Sequence, residues 1–211
     1  MGKTQEGKMK RVAGLILAAG KSERMGRAKP LLRIYGRTFL EHIASEAQQS
    51  NLTEVKIVLG FEAELILERL PQLRPNVLIN PQYEQGQLSS LIRGLKSLEG
   101  DSLDGLMPFL VDHPFVNRDL INQLLDSFSN HDNPIVIPTF QKKRGHPLIF
   151  AHELFPELIN APIDQGAVVV VRKYQDQILH VETEQAGILL DIDTPTAYQE
   201  YVINRRILTA D

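Results

Sequence analysis

Val12 to Leu17 (VAGLIL) is an unbroken apolar run, and it passes without a linker into Ala18-Ala19-Gly20-Lys21-Ser22. A strand with one buried face alternates apolar and polar residues, whereas an unbroken run has to be covered on both faces. This predicts a parallel strand inside an open sheet, and such sheets hold their ligands beyond the carboxyl ends of their strands. Whatever follows Leu17 therefore stands on a binding rim. The stretch from Leu17 to Leu32 reads LAAGKSERMGRAKPLL, which is small, flexible and basic. Small residues let the backbone approach an anion. Gly20 and Gly26 permit the φ > 0 turns that gather N–H groups into a concave nest. Arg24 can fork onto a phosphate, and Lys29 can meet one as a point charge. The plainer reading of the same residues is a solvated basic surface loop.

Two common phosphate loops are excluded by spacing. A P-loop needs a glycine five residues before Gly20, and Leu15 stands there. The dinucleotide fingerprint needs Gly-x-Gly-x-x-Gly, but five residues lie between Gly20 and Gly26, which also leaves a nicotinamide-dependent oxidoreductase poorly supported.

The rest of the chain alternates short apolar runs with helical spacing. Strands are expected at Val55–Leu59, Val77–Ile79, Leu106–Val111 and Pro134–Pro138. Helices are expected at Thr38–Ser50, Glu62–Leu70, Leu88–Leu98 and Asp119–Phe128. Beyond residue 140 the rhythm changes. Short strands are expected at Leu148–Phe150, Ile178–Val181 and Gly187–Leu190, with a closing helix over Thr194–Arg206 capped by Thr194 and opened by Pro195. The fold class is α/β, a three-layer αβα arrangement around a mostly parallel sheet. A flexible leader over residues 1–9 is expected, followed by a single domain over 10–211. The domain divides into halves over 10–115 and 116–211.

There are no cysteines among the 211 residues, so disulfides, thiolate nucleophiles and Cys-based metal sites are out. The formal net charge is −3, with no basic footprint, which argues against duplex nucleic acid as a partner. An anionic substrate must then be met by a few placed cations and amides, or by a metal. No apolar run approaches the roughly 18 residues of a spanning helix. The amino-terminal stretch lacks an apolar core for a signal peptide and fails the myristoylation pattern at Glu6. A cytoplasmic protein without a membrane contact is expected.

Two acids and one basic turn carry further chemistry. Asp112 ends the run Leu106–Val111, and Asp193 follows Gly187–Leu190. Magnesium takes hard oxygen ligands, often one or two carboxylates with phosphate and water, so these acids from distant strand ends are candidates to hold it. Asp112 before His113-Pro114 could equally be a turn residue, and Asp193 an N-cap. His113 reads as a partly exposed turn histidine, with contact to a second substrate as the alternative. Gln141 to Pro147 sets Lys142, Lys143 and Arg144 beside Gly145 and His146. It is either a solvated hairpin or a grip on a second anionic substrate.

The pattern Leu17-Ala18-Ala19-Gly20-x-Ser22-x-Arg24-Met25-Gly26-x-x-Lys29 resembles the signature of the MobA-like, GT-A-like NTP transferases. The two alanines resemble the molybdenum cofactor cytidylyltransferase branch, while the guanylyltransferase branch usually shows Leu-Ala-Gly-Gly. Further similar segments are Val58 to Glu64 with Gly60, Asn80-Pro81, Gly86 to Leu91 with Ser89 and Ser90, Asp112-His113-Pro114, Arg144 to Pro147, and Asp191 to Pro195. The resemblance implies a Rossmann-like fold and magnesium-dependent transfer of CMP from CTP to a phosphate on molybdopterin. In that reading Lys29, Arg24 and Asp112 are catalytic, and Leu17, Ala18, Ala19, Gly20, Lys21, Ser22, Gly60, Asn80, Ser89 and Ser90 bind the nucleotide, with Ser89 facing the base. His113, Arg144, His146 and Asp164 bind the acceptor. Asp112 and Asp193 hold the metal, with Asp191 competing for the second place. A molybdoenzyme or chaperone would be a downstream contact. Asp164-Gln165-Gly166-Ala167 resembles a segment that closes the acceptor site, but Val168 stands where the family continues with Arg. The rival readings are a nucleotidyltransferase of the same fold acting on a sugar phosphate or polyol phosphate, and a non-catalytic nucleotide-binding regulator.

Overall fold

In the computed structural model, which describes residues 9–98 and 102–205, every residue of the first strand is buried. β1 (Val12–Ala18) alternates its side chains between two apolar layers. Val12, Ile16 and Ala18 enter one core, and Ala13, Leu15 and Leu17 enter the other. An unbroken apolar run is what double burial requires.

The remaining strands follow as β2 (Arg33–Ile34), β3 (Arg37–Thr38), β4 (Glu54–Leu59), β5 (Val77–Ile79) and β6 (Gly105–Leu110). β7 (Ile135–Phe140), β8 (Lys143–Arg144), β9 (Ile149–Ala151) and β10 (Ile178–Glu182) complete the set. The helices are α1 (Phe39–Gln48), α2 (Ala63–Arg69), α3 (Gln87–Ser97), α4 (Arg118–Asn130), α5 (Phe155–Ile159), α6 (Val168–Lys173) and α7 (Pro195–Ala197). The main sheet has the order β10-β7-β9-β6-β1-β4-β5, with β8 paired on β7. β1 pairs in parallel with β4 and β6, β4 with β5, and β7 with β10, whereas β9 runs antiparallel between β6 and β7. Helices α1, α2 and α4 cover one face, and α3, α5 and α6 cover the other. The three-layer α/β expectation holds.

Register sets the rim. Leu17 lies opposite Val58 on β4 and Leu110 on β6, so these three strands end level with one another. No described helix is long and apolar enough to cross a membrane.

The structure corrects two sequence expectations. Gly187–Leu190 is not a strand: Ala186–Leu189 form a 3₁₀ turn, because Ala186, Gly187 and Ile188 are buried against the core edge and no strand pairs there. The closing helix over Thr194–Arg206 is shorter and irregular. Thr194 caps it by accepting from the Ala197 N–H, Pro195 opens it, and after Ala197 it continues in π form over Tyr198–Ile203. Arg206 lies outside the described residues, as does the expected leader apart from Met9.

Gly94 brings α3 onto β1. A Cβ there would sit 2.2 Å from Leu15 Cδ2 and 2.9 Å from its Cγ, with Leu15 wholly buried. Alanine favours a helix over glycine by about 1 kcal/mol, yet Gly94→Ala is expected to lower stability by about 1–3 kcal/mol through overpacking. Urea melts of Gly94→Ala, Leu15→Ala and the double variant check this. The coupling between the two sites should exceed roughly 0.5 kcal/mol.

Candidate active site

β1 delivers Leu17, Ala18 and Ala19 to the rim, where the loop turns back on itself. Ser22 makes that turn in the left-handed region at φ 55. Its carbonyl accepts from the N–H groups of Met25 (3.0 Å) and Gly26 (3.1 Å), and its hydroxyl accepts from the Lys29 N–H (3.1 Å). Gly26 supplies the second positive φ, at 70. Gly20 was expected to share this role and does not; the hydrogen bonds around Ser22 hold the turn there instead. A Cβ on Gly20 would meet nothing within 4 Å, so its backbone faces open space. Beneath the loop, Met25 packs with Leu32, Ile34, Phe39 and Ile192.

Lys29 is only 8% exposed, and a buried cation needs a partner. Its ammonium donates to Asp112 Oδ2 (3.3 Å) and to Asp193 Oδ1. Arg24 Nη2 lies 2.5 Å from Asp193 Oδ2. The acids are joined through the backbone as well, since the Ile192 N–H donates to the Asp112 carbonyl (2.7 Å). Burial by itself would raise the Asp193 pKa, but the ion pairs with Lys29 and Arg24 outweigh it and hold the carboxyl below its ordinary value. Asp191 is exposed and stands outside this cluster.

Among the described residues no group of three or more His, Asp or Glu could hold a metal. Two carboxylates from the protein are nevertheless enough for a hard divalent ion that keeps water and phosphate as its other ligands. The donor set fits such an ion. Asp112 Oδ1 is buried without a hydrogen-bond partner, and the Lys29 ammonium already marks a cation position between the two acids.

A crevice of about 160 Å³ borders this cluster, lined by Leu17, Gly20, Ser22, Lys29, Ser90 and Asp112 among others. Ser89, expected to face the base, is buried and engaged within the protein. Its hydroxyl donates to the carbonyls of Gln82 (3.0 Å) and Gly86 (2.7 Å). Asn80 Nδ2 in turn donates to the hydroxyls of Ser89 (2.9 Å) and Ser90 (3.0 Å). This buried network shapes the loop into α3, and Ser90 is its member on the crevice. Gly60 works by close packing. A Cβ there would lie 2.5 Å from Tyr83 Cβ and 2.9 Å from the Ala19 carbonyl. Lys21 pairs with Glu84 (2.6 Å), tying the loop to the turn Tyr83–Gln85. Tyr83 and Glu84 were missed by sequence reasoning, because nothing but chain folding sets that turn against the loop.

Next to the crevice, and sharing Leu17, Gly86 and Gln87 with it, lies a cavity of about 760 Å³. Its walls are largely apolar, with Leu88, Leu91, Pro108, Leu148 and Phe150 among them. Of the three expected cations only Arg144 lines it, with Asp164 and Glu84 also among the lining residues. Lys142, on the β7–β8 turn, and Lys143, in β8, are exposed. Arg144 Nε donates to His180 Nε2 (2.9 Å), which fixes its direction.

His146 lines the cavity, and its ring packs on His113 with centroids 4.5 Å apart. His113 is the partly exposed turn histidine the sequence suggested, its N–H donating to the Leu110 carbonyl (3.0 Å), and the ring is in addition packed on His146. Its Nδ1 is buried without a partner. Burial lowers the His113 pKa despite the pull of Asp112. Burial, reinforced by His113, lowers that of His146 to about 4. Burial thus favours the neutral form of both rings.

The sign of the His146 shift gives a stability expectation. The unfolded chain protonates this ring near the ordinary value of about 6.5, and the folded chain only near 4. The unfolded state therefore binds more protons between those values, and stability falls as pH drops through that window. Wild type should lose on the order of 2 kcal/mol between pH 7 and 5 from this group. His146→Asn should flatten the profile in parallel urea titrations.

A family model described as the MobA-like NTP transferase domain matches residues 14–178. A Bacillus anthracis protein named "Probable molybdenum cofactor guanylyltransferase" is 32% identical over 154 residues, covering 72% of this chain and 74% of that one. Nicotine blue oxidoreductase of Paenarthrobacter nicotinovorans is 28% identical over 195 residues, covering 87% and 92%. Rv0371c of Mycobacterium tuberculosis H37Rv shares the fold at a TM-score of 0.77, with 23% identity over 92% of this chain and 98% of that one. Its manganese complex does so at 0.74, with 21% identity and the same coverage. With most of its length inside the family model and its phosphate-loop residues gathered at the rim, this chain belongs to the MobA-like NTP transferase domain family and is a nucleotidyltransferase.

Proposed function

We propose that the protein transfers a nucleotidyl group from a nucleoside triphosphate, CTP in preference to GTP, to the terminal phosphate of molybdopterin or its metal-loaded form, releasing pyrophosphate. The observation that carries the reading is the convergence of Lys29, Arg24, Asp112 and Asp193 on the rim next to a large, mostly apolar cavity. The ionic crevice suits a triphosphate. The cavity suits a flat heterocycle, and the residues shared by the two spaces let its phosphate reach the nucleotide.

Lys29 and Arg24 would hold triphosphate oxygens, aided by loop amides around Ser22. Asp112 and Asp193 would hold a divalent ion, magnesium by its preference for hard oxygens, and when bound that ion offsets charge on the reacting phosphates. The acceptor's phosphate oxygen forms the new bond to the α-phosphorus while the bond to the bridging oxygen of pyrophosphate breaks. No general base is needed, because a phosphate monoester is largely ionised at neutral pH. His113 and His146 would border the acceptor, with Arg144 and Asp164 in the cavity lining. The chain's part is then positioning and charge stabilisation.

The Bacillus relative's name supports the acceptor and makes GTP the competing nucleotide. The Ala18-Ala19 pair favours CTP. The manganese complex of the Mycobacterium tuberculosis neighbour supports a divalent ion. A second reading, reduction of a flat apolar substrate, is favoured by the cavity's near-neutral walls and by the Paenarthrobacter relative's name. The glycine spacing of the loop counts against it.

Pyrophosphate release across four NTPs, with molybdopterin and with sugar-phosphate and polyol-phosphate acceptors, tests the proposal beside an assay of NADH and NADPH oxidation. Turnover should require molybdopterin and be fastest with CTP. Asp112→Asn should lower kcat by roughly two orders of magnitude or more. A faster rate with GTP would reassign the nucleotide, and nicotinamide oxidation without pyrophosphate release would favour the second reading.

A further inference from the structure

Lys29 and Arg24 do two things that pull in different directions. Both border the open space beside the loop, where a triphosphate would lie. Both are also already engaged by the acids. Lys29 holds Asp112 Oδ2 and Asp193 Oδ1, and Arg24 holds Asp193 Oδ2. Each oxygen of Asp193 therefore has a cation on it. Asp112 Oδ1 is the oxygen of the pair without a partner.

A free divalent ion entering here would have to take Asp193 from both cations. The Lys29 side chain keeps only 10% of its surface exposed. Displaced by an ion alone, its ammonium would have only its small exposed surface to meet solvent while standing beside a doubly charged cation, which is costly. A triphosphate changes this balance. It offers anionic oxygens on the open side of the same two residues, so they can release Asp193 without losing a partner.

Resting on the reading that Asp112 and Asp193 hold the divalent ion, we propose that Lys29 and Arg24 are built-in counter-cations that close this acid pair to free metal and release it only to an arriving triphosphate. The metal enters with the nucleotide and not before it. By linkage, nucleotide tightens metal binding and metal tightens nucleotide binding by the same factor. Part of that factor comes from the protein's own cations.

The test uses Mn2+ as probe on the full chain, with free ion counted by electron paramagnetic resonance. Binding is measured without nucleotide and again with α,β-methylene-CTP, after subtraction of the Mn2+ that the analogue binds in protein-free solution, for wild type, Lys29→Met, Arg24→Gln and Asp112→Asn/Asp193→Asn. Wild type should bind Mn2+ far more weakly alone than with the analogue. Without nucleotide, Lys29→Met should bind about tenfold tighter than wild type and Arg24→Gln about two- to threefold tighter, as expected for losing a part-buried and an exposed competitor. The coupling to the analogue should shrink in both. Circular dichroism checks folding, and if Lys29→Met fails to fold, Arg24→Gln, at an exposed position, decides alone. Folded variants that bind Mn2+ alone no more tightly than wild type would overturn the proposal. The double aspartate variant separates the two levels. If it loses Mn2+ with the analogue present while Lys29→Met and Arg24→Gln bind as wild type does, the counter-cation role fails and the metal-ligand reading stands. If it keeps Mn2+, the metal-ligand reading fails and the counter-cation role with it.

Discussion

β1 lies between β4 and β6 with helices over both of its faces, so its side chains meet only other apolar groups. That double burial sets the rest of the molecule in place. It makes the strand's carboxyl end a rigid platform, level with the ends of β4 and β6. It also leaves the chain after Leu17 one outlet, onto the rim. There the left-handed turn at Ser22 and the buried Met25 fold the loop back, so that Lys29 returns to face the end of β6.

The rim then divides into two environments with opposite electrostatics. On one side charges are concentrated and paired: Lys29 and Arg24 against Asp112 and Asp193. Buried ions persist only when so paired, and the arrangement is poised to exchange partners when a stronger anion arrives. On the other side the cavity is largely apolar, and burial disfavours the charged form of His146 in its wall. Leu17 borders both spaces. The two spaces thus place fixed charges and a largely apolar wall side by side on one rim.

The loops that shape the two spaces are held by close contacts more than by strong bonds. Gly60 lets Tyr83 and the Ala19 carbonyl approach one another, and the Asn80–Ser89–Ser90 network fixes the entry to α3. These residues bear on the site without offering it a reactive group, apart from Ser90 at the crevice. This explains why a motif such as Gly86–Leu91 reads as base recognition from sequence, while its first serine is turned inward.

What the sequence determined alone is what short-range physics determines. The apolar run Val12–Leu17, the helical spacing of α1, α3 and α4, the Thr194-Pro195 start of the last helix and the basic loop all act within a few residues of themselves. They were legible for that reason, and so were Asp112 and Asp193 as acids beside apolar runs. What only the tertiary structure decided depends on residues far apart in the chain. β9 turns antiparallel between β6 and β7, and Ala186–Leu189 becomes a 3₁₀ turn at the core edge. His113 finds His146, and Lys29 settles between two acids 83 and 164 residues away. No local pattern encodes these meetings. They arise because burying both faces of the sheet brings distant rims together, and because a charge carried into that rim has to find its opposite there.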